Sequence, residues 1–114
     1  QNPPTLPSYE TAWMAWQLLK KVGDEQTAAH VEKLAVSAGE ESVQTLDDLC
    51  WQTIFLCEVG REKYAQRIAA NVARIKKEQK PDGSWSYRFN DKPAEFATAT
   101  ALFALACIRD RFTC

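Results

Sequence analysis

The feature that most constrains this chain is that it repeats itself. Residues Tyr9-Glu10-Thr11-Ala12-Trp13 and Leu18-Leu19-Lys20-Lys21-Val22-Gly23 superpose on Leu46-Asp47-Asp48-Leu49-Cys50 and Phe55-Leu56-Cys57-Glu58-Val59-Gly60 at an offset of 37 residues. The segments that follow keep the register, with Ala28 over Ala65 and Val31 over Ile68. A third copy starts at Glu95-Phe96-Ala97 and runs through Leu102, Leu105 and Ile108 to Asp110. Periods of roughly 35–50 residues mark stacked helical hairpins, in which neighbouring units bury each other's apolar faces. The sequence holds two such hairpins and the first helix of a third.

The spacing of apolar residues is helical nearly throughout. A first helix is expected from about Ser8 to Val22, with Ser8 as N-cap and Gly23 as stop. It places Trp13, Trp16, Leu19 and Lys20 near one face. Asp24 can cap a second helix through about Ser37 that presents Ala28, Val31, Leu34 and Ala35. Residues Gly39 to Gln44 read as a polar connector. Thr45-Leu46-Asp47-Asp48 has the form of a capping box and opens a third helix that stops at Gly60. A fourth, about Arg61 to Gln79, turns Tyr64, Ile68, Val72 and Ile75 to one side and its basic residues to water. Pro81-Asp82-Gly83 signals a turn. Asp91 and Pro93 then open a fifth helix, about Pro93 to Arg109. No strand pattern of useful length occurs, so the expected class is all-α, with one domain over residues 8–114 behind a Pro-rich lead-in, residues 1–7.

Composition removes several functions. The 14 Lys+Arg against 15 Asp+Glu leave a formal net charge of −1, without the basic excess of a nucleic-acid binder or a polybasic membrane patch. The longest apolar stretch, Phe96–Ile108, is too short and too rich in Ala and Thr to span a bilayer. Ser37, Ser42, Ser84 and Ser86 sit in no nucleophile-elbow context, and no phosphate loop is present. The chain starts at Gln1 and has four cysteines, Cys50, Cys57, Cys107 and Cys114. Both facts favour a secreted or periplasmic protein, with a cytoplasmic one as the other reading. The cysteines fit two disulfides in any of three connectivities, or buried thiols acting as small apolar groups. Cys50–Cys57 and Cys107–Cys114 are each seven residues apart, about 10 Å along a helix, too long for two ligands of one ion on one helix. No metal site and no cofactor is expected.

The most specific string is Gln79-Lys80-Pro81-Asp82-Gly83-Ser84-Trp85. Gly83 permits a turn with positive φ, and Asp82 can accept bonds from nearby backbone N–H groups. The Gln79 amide can satisfy free groups at a helix end, and the Trp85 ring can pack over the turn. These roles are structural.

That string, followed about ten residues later by Phe96-Ala97-Thr98-Ala99-Thr100-Ala101-Leu102-Phe103-Ala104-Leu105, resembles the QW repeat of squalene/terpenoid cyclases and, more broadly, the prenyltransferase-type repeat of α/α toroids. In that family the element ties neighbouring hairpins together, which is the role implied for Gln79, Asp82, Gly83 and Trp85. The resemblance implies a partial α/α toroid of about five helices. Helices one, three and five would be inner and mutually parallel, and two and four outer. The N-terminal ends of the inner helices would line one mouth, bearing Glu10, Asp47, Asp48 and Glu95. Acids there complement the helix dipole whatever else they do. Cyclases of the squalene–hopene type carry Asp-x-Asp-Asp at such a helix start, and Asp47 matches the position of their proton donor. Thr45 replaces the first Asp, and a general acid of that kind needs a second carboxyl group and a closed, dry cavity. The prenyltransferase zinc site has no counterpart, because the lone histidine, His30, falls on an outer helix and reads as a surface residue. In the inner layer so implied, Cys57 and Cys107 would share one level and form the preferred disulfide, while Cys114 lies past the last helix.

The fifth helix lacks an outer partner, which leaves Phe96, Leu102, Phe103, Leu105 and Phe112 to be covered. Trp13, Trp16, Trp51 and Phe55 are either core or the lining of a concave apolar groove. Two functions follow. The first is a non-catalytic helical-repeat module, an accessory or assembly subunit that binds a protein partner or itself. The second is a piece of a terpenoid-cyclase-like enzyme that binds an isoprenoid or other apolar ligand.

Overall fold

A computed structural model describes residues 8–38 and 42–113, with side chains up to Arg109. The lead-in at 1–7, Cys114 and the Phe112 side chain lie outside the described residues, as do 39–41 of the connector. Among the described residues the fold is all-helical: α1 (Tyr9–Val22), α2 (Glu25–Ser37), α3 (Leu46–Gly60), α4 (Ala65–Lys77) and α5 (Glu95–Thr113). Among the described residues the only extended pairing is an isolated bridge between Ser86 and Pro93.

Three of the helix starts come from local chemistry. Ser8 Oγ accepts from Thr11 N–H at 3.0 Å, and Gly23 ends α1 in the left-handed region at φ 87°. Asp24 accepts from Thr27 N–H at 3.0 Å, a bond that also lowers its pKa. Thr45 and Asp48 form a reciprocal capping box at the start of α3, with bonds of 3.0 and 3.2 Å. Each such cap satisfies backbone donors that the helix itself leaves open.

The other two helices differ from the sequence expectation. α4 starts at Ala65 rather than Arg61. Residues 61–64 are drawn into a turn, and the Tyr64 hydroxyl donates to Glu32 Oε2 of α2 at 2.7 Å. α5 starts at Glu95 rather than Pro93, because Pro93 is taken by its bridge to Ser86 and Ala94 N–H donates to the Trp85 carbonyl at 3.0 Å. It also runs four residues past the expected end at Arg109, to Thr113.

α3 is the central helix, packed against α1, α4 and α5, while α2 packs on α1. Its residues from Leu49 through Cys57 are all buried, as a helix apolar on every side must be. The contacts set the relative directions. The start of α3 lies beside the start of α1, where the Glu10 charge acts on Asp47, and beside the first half of α5, where the Thr100 hydroxyl acts on the Asp47 carboxyl. Further along, Gln17 of α1 donates to Glu58 of α3 at 3.2 Å. On α5 the order is the same, Thr100 near Asp47 and then Phe103 against Trp51, so α1, α3 and α5 run parallel. α2 runs back along α1, with Tyr9 OH at the α1 start donating to the Ala35 carbonyl near the α2 end at 3.2 Å.

A buried polar relay joins the helices. The Tyr9 hydroxyl, having given its one proton to Ala35, accepts from Gln52 Nε2 at 3.1 Å and from Ser42. Gln52 in turn accepts from Asn71 Nδ2 of α4 at 2.8 Å. Four helices meet through these three side chains, all of which are buried. Sequence reading missed the relay. Its signal was available in two amides, Gln52 and Asn71, at core-facing helix positions.

Candidate functional site

Two places concentrate chemistry: the turn between α4 and α5, and the mouth where α1, α3 and α5 begin.

In the turn, Gly83 holds φ 91°, which a side chain would strain. Gln79 Nε2 donates to the Gly83 carbonyl at 3.0 Å. The Asp82 carboxylate accepts from both Ser84 N–H and Ser84 Oγ, which lowers its pKa. The Trp85 ring is 1 % exposed, and its Nε1–H donates to the Ile75 carbonyl in the last turn of α4 at 2.7 Å. The Trp85 backbone is held from the other side, with Trp85 N–H donating to Thr98 Oγ1 of α5 at 2.9 Å. Gln79, Asp82, Gly83 and Trp85 therefore form one clasp from the end of α4 to the start of α5.

The mouth is built by three helix starts. Asp47 sits in the first turn of α3, and its backbone N–H donates to the Tyr87 carbonyl at 3.1 Å. Burial first, then the charges of Asp48 and Glu10, push its carboxyl up to about 6, against a smaller opposing effect of the Thr100 hydroxyl. Further in, about one turn along α1 and α3 and two along α5, the rings of Trp13, Trp51 and Phe103 meet, one from each parallel helix. Their centroids are 5.5 Å (Trp13–Trp51), 5.8 Å (Trp13–Phe103) and 6.0 Å (Trp51–Phe103) apart. Both Phe103 contacts are edge-on, the geometry that the ring quadrupoles favour. Three buried polar atoms of this cluster, Trp13 Nε1, Trp51 Nε1 and Asp47 Oδ1, have no hydrogen-bond partner. Cys50 lies beside them, fully buried, its thiol pushed up to about 12 by burial and by the Asp47 charge.

The remaining expected residues fall as follows. Phe55 is wholly buried against Tyr9, with ring centroids 6.5 Å apart, and faces no groove. Trp16 is half-buried under Lys20, whose ammonium lies 5.5 Å from the ring centroid. His30 is exposed on α2. The expected Cys57–Cys107 disulfide is not formed, and no two described cysteines are bonded to each other. A bridge requires Cβ atoms roughly 4 Å apart, which a shared level on neighbouring helices does not by itself ensure. Among the described residues no cluster of three or more His, Cys, Asp or Glu side chains could hold a metal ion. No helix among them is long and apolar enough to cross a membrane.

Apolar surface collects elsewhere. α5 exposes Phe96 (68 %), Leu102 (54 %) and Phe103 (39 %), and α1 exposes Met14, Leu18 and Val22. An open groove of about 670 Å³ runs along α4, lined by Ala65, Ile68, Ala69, Val72 and Ile108 among others.

No family model matches the chain, and neither the curated proteins nor the solved structures contain a significant match to it.

Proposed function

We propose that this chain is a non-catalytic helical-repeat module that docks on a protein partner through the open side of α5. The observation that carries the reading is the run of large apolar groups there, Phe96, Leu102 and Phe103, on a helix with no outer companion among the described residues. Such groups gain roughly 25 cal/mol for each Å² taken out of water, which favours a partner surface. The clasp around Trp85 supports the same reading. It resembles the hairpin-tying element of terpenoid-cyclase-type repeats, and its work here is to hold α5 at a fixed angle. The aromatic trio at the mouth also fits, since its rings fill the space between the helices with one another.

A photo-crosslinking amino acid at Leu102, with one at exposed Gln66 of α4 as control, tests this in the cells that make the protein. The expected result is a discrete protein adduct at Leu102 and none at Gln66. Equal labelling at both positions, or none at Leu102, would remove the reading.

A second reading has its own support, the three unpartnered polar atoms around Asp47 and the two tryptophans. Buried donors and acceptors left open cost about 1–3 kcal/mol each and are what a ligand satisfies. On this reading the chain is part of a terpenoid-cyclase-like unit that binds an isoprenoid or other apolar molecule above the trio, with a polar end such as a hydroxyl meeting those atoms. Titration with farnesol would then quench the tryptophan emission saturably. A linear, non-saturating response would discard it.

A further inference from the structure

The exposed stripes on α1 and α5 are the two halves of one interface, and we propose that a second copy of this chain occupies the α5 stripe with its α1, so that copies join head to tail. The inference rests on the docking reading above and names the partner.

The internal repeat supplies the argument. Within the molecule, α1 meets α3 through Tyr9, Trp13 and Gln17, which touch Phe55, Trp51 and Glu58. Moving the first set by 37 residues gives Leu46, Cys50 and Ile54 of α3. All three are buried in the α3 core. Moving it on by a further 49, the offset that aligns Cys57 with Ala106, gives Glu95, Ala99 and Phe103 of α5. These three are exposed. They are the same outgoing face, on which the one described contact is that of the partly exposed Phe103 ring with Trp13 and Trp51.

The incoming face behaves in the same way. On α3 it includes Trp51 and Phe55, and 37 residues earlier these positions are Met14 and Leu18 of α1. Those side chains are 58 % and 61 % exposed. Thus α1 carries an open incoming face and α5 a largely open outgoing one, each equivalent to a face that is buried inside the fold. A second copy can supply the missing half to both. Such an interface is heterologous, since different patches meet, and it either closes into a ring or extends as a chain of copies. The exposed apolar side chains flanking the stripes, Val22 on α1 and Phe96 and Leu102 on α5, widen the contact.

Two variants each spoil one half: Leu18→Glu on α1 and Leu102→Glu on α5. Both positions are exposed in the single chain, so the fold is kept, which circular dichroism checks. Sedimentation velocity over about a hundredfold range of concentration reads the outcome. The wild type should associate. Each variant alone should sediment as a monomer, having one working face and no counterpart. An equimolar mixture should give a dimer and nothing larger, because the intact α5 of one variant meets the intact α1 of the other. Association of Leu18→Glu alone would mean that α5 pairs with α5, and would overturn the proposal. A wild type that is monomeric throughout would overturn it as well. If the Leu102 crosslink to a different protein then persists, the docking reading stands without the second copy. If that crosslink is also absent, both fall.

Discussion

Two residues carry more of the physics than their type suggests. Asp47 is the first. Its carboxyl titrates near 6 in the fold against an ordinary value of 3.8, so the folded state binds the proton more tightly than the unfolded chain does. Stability is then full below about pH 4 and is lost as pH rises through 6. Allowing for solvent around a half-buried group and for the helix dipole at the α3 start, the loss is on the order of 1–2 kcal/mol. Asp47→Asn should therefore be the more stable protein at pH 7.5, nearly equal to wild type at pH 3.5, and flat between. Urea unfolding at the two pH values checks this, and a variant weakened at pH 7.5 would contradict it. Tyr9 is the second. Its hydroxyl gives one bond and receives two, so it is saturated in a site that water does not reach. Tyr9→Phe keeps the ring against Phe55 but strips Gln52 of an acceptor and Ala35 of a donor. The expected cost is about 1–3 kcal/mol, read as a lower urea midpoint at unchanged m.

At the scale of the helices, what the sequence could show was what neighbouring residues decide. Ser8, Asp24, Thr45 and Gly23 act within a turn of themselves, and each was legible as a cap or a stop. The start of α4 was not, because it depends on Tyr64 reaching Glu32 across 32 residues. The start of α5 was hidden for the same reason, since Pro93 suits a first helical turn but is claimed by Ser86. The candidate site divides similarly. The Asp82–Gly83 turn could be read from residue type, and Asp47 from its place in a repeat. The meeting of Trp13, Trp51 and Phe103 could not, since it needs three helix directions to be known at once. Trp85 shows how much the clasp matters to the elements that it joins. Trp85→Phe keeps an aromatic ring but removes the donor to the Ile75 carbonyl and opens part of a site that is almost wholly filled. A loss of about 2–4 kcal/mol is expected. Amide hydrogen exchange should show it first in the last turn of α4 and the first turn of α5. Uniform loss of protection across all five helices would mean that the clasp is no separate unit.

On the scale of the molecule, the packing makes α3 the element that cannot move alone. α1, α4 and α5 all pack against it. Cys50 is a built-in probe of that arrangement, since its side chain is 1 % exposed and its thiol is held up to about 12. At pH 8 only about one thiol in 10⁴ would be ionised, and that fraction is buried, so alkylation has to wait for opening. If α1 and α5 both grip α3, no small motion uncovers Cys50. Its labelling should then follow the global unfolding equilibrium, rising with urea at the full m-value of the whole domain. Quantifying iodoacetamide adducts at each cysteine by mass spectrometry gives the comparison directly. Half-buried Cys107 should react sooner and with a weaker dependence on urea. A Cys50 that labels with a shallow slope would mean that the mouth opens locally, with α1 parting from α3 while the rest stays folded. That same parting would release α1 from the rest of the fold, so the slope also measures how firmly α1 can hold its exposed Met14 and Leu18 toward a second copy.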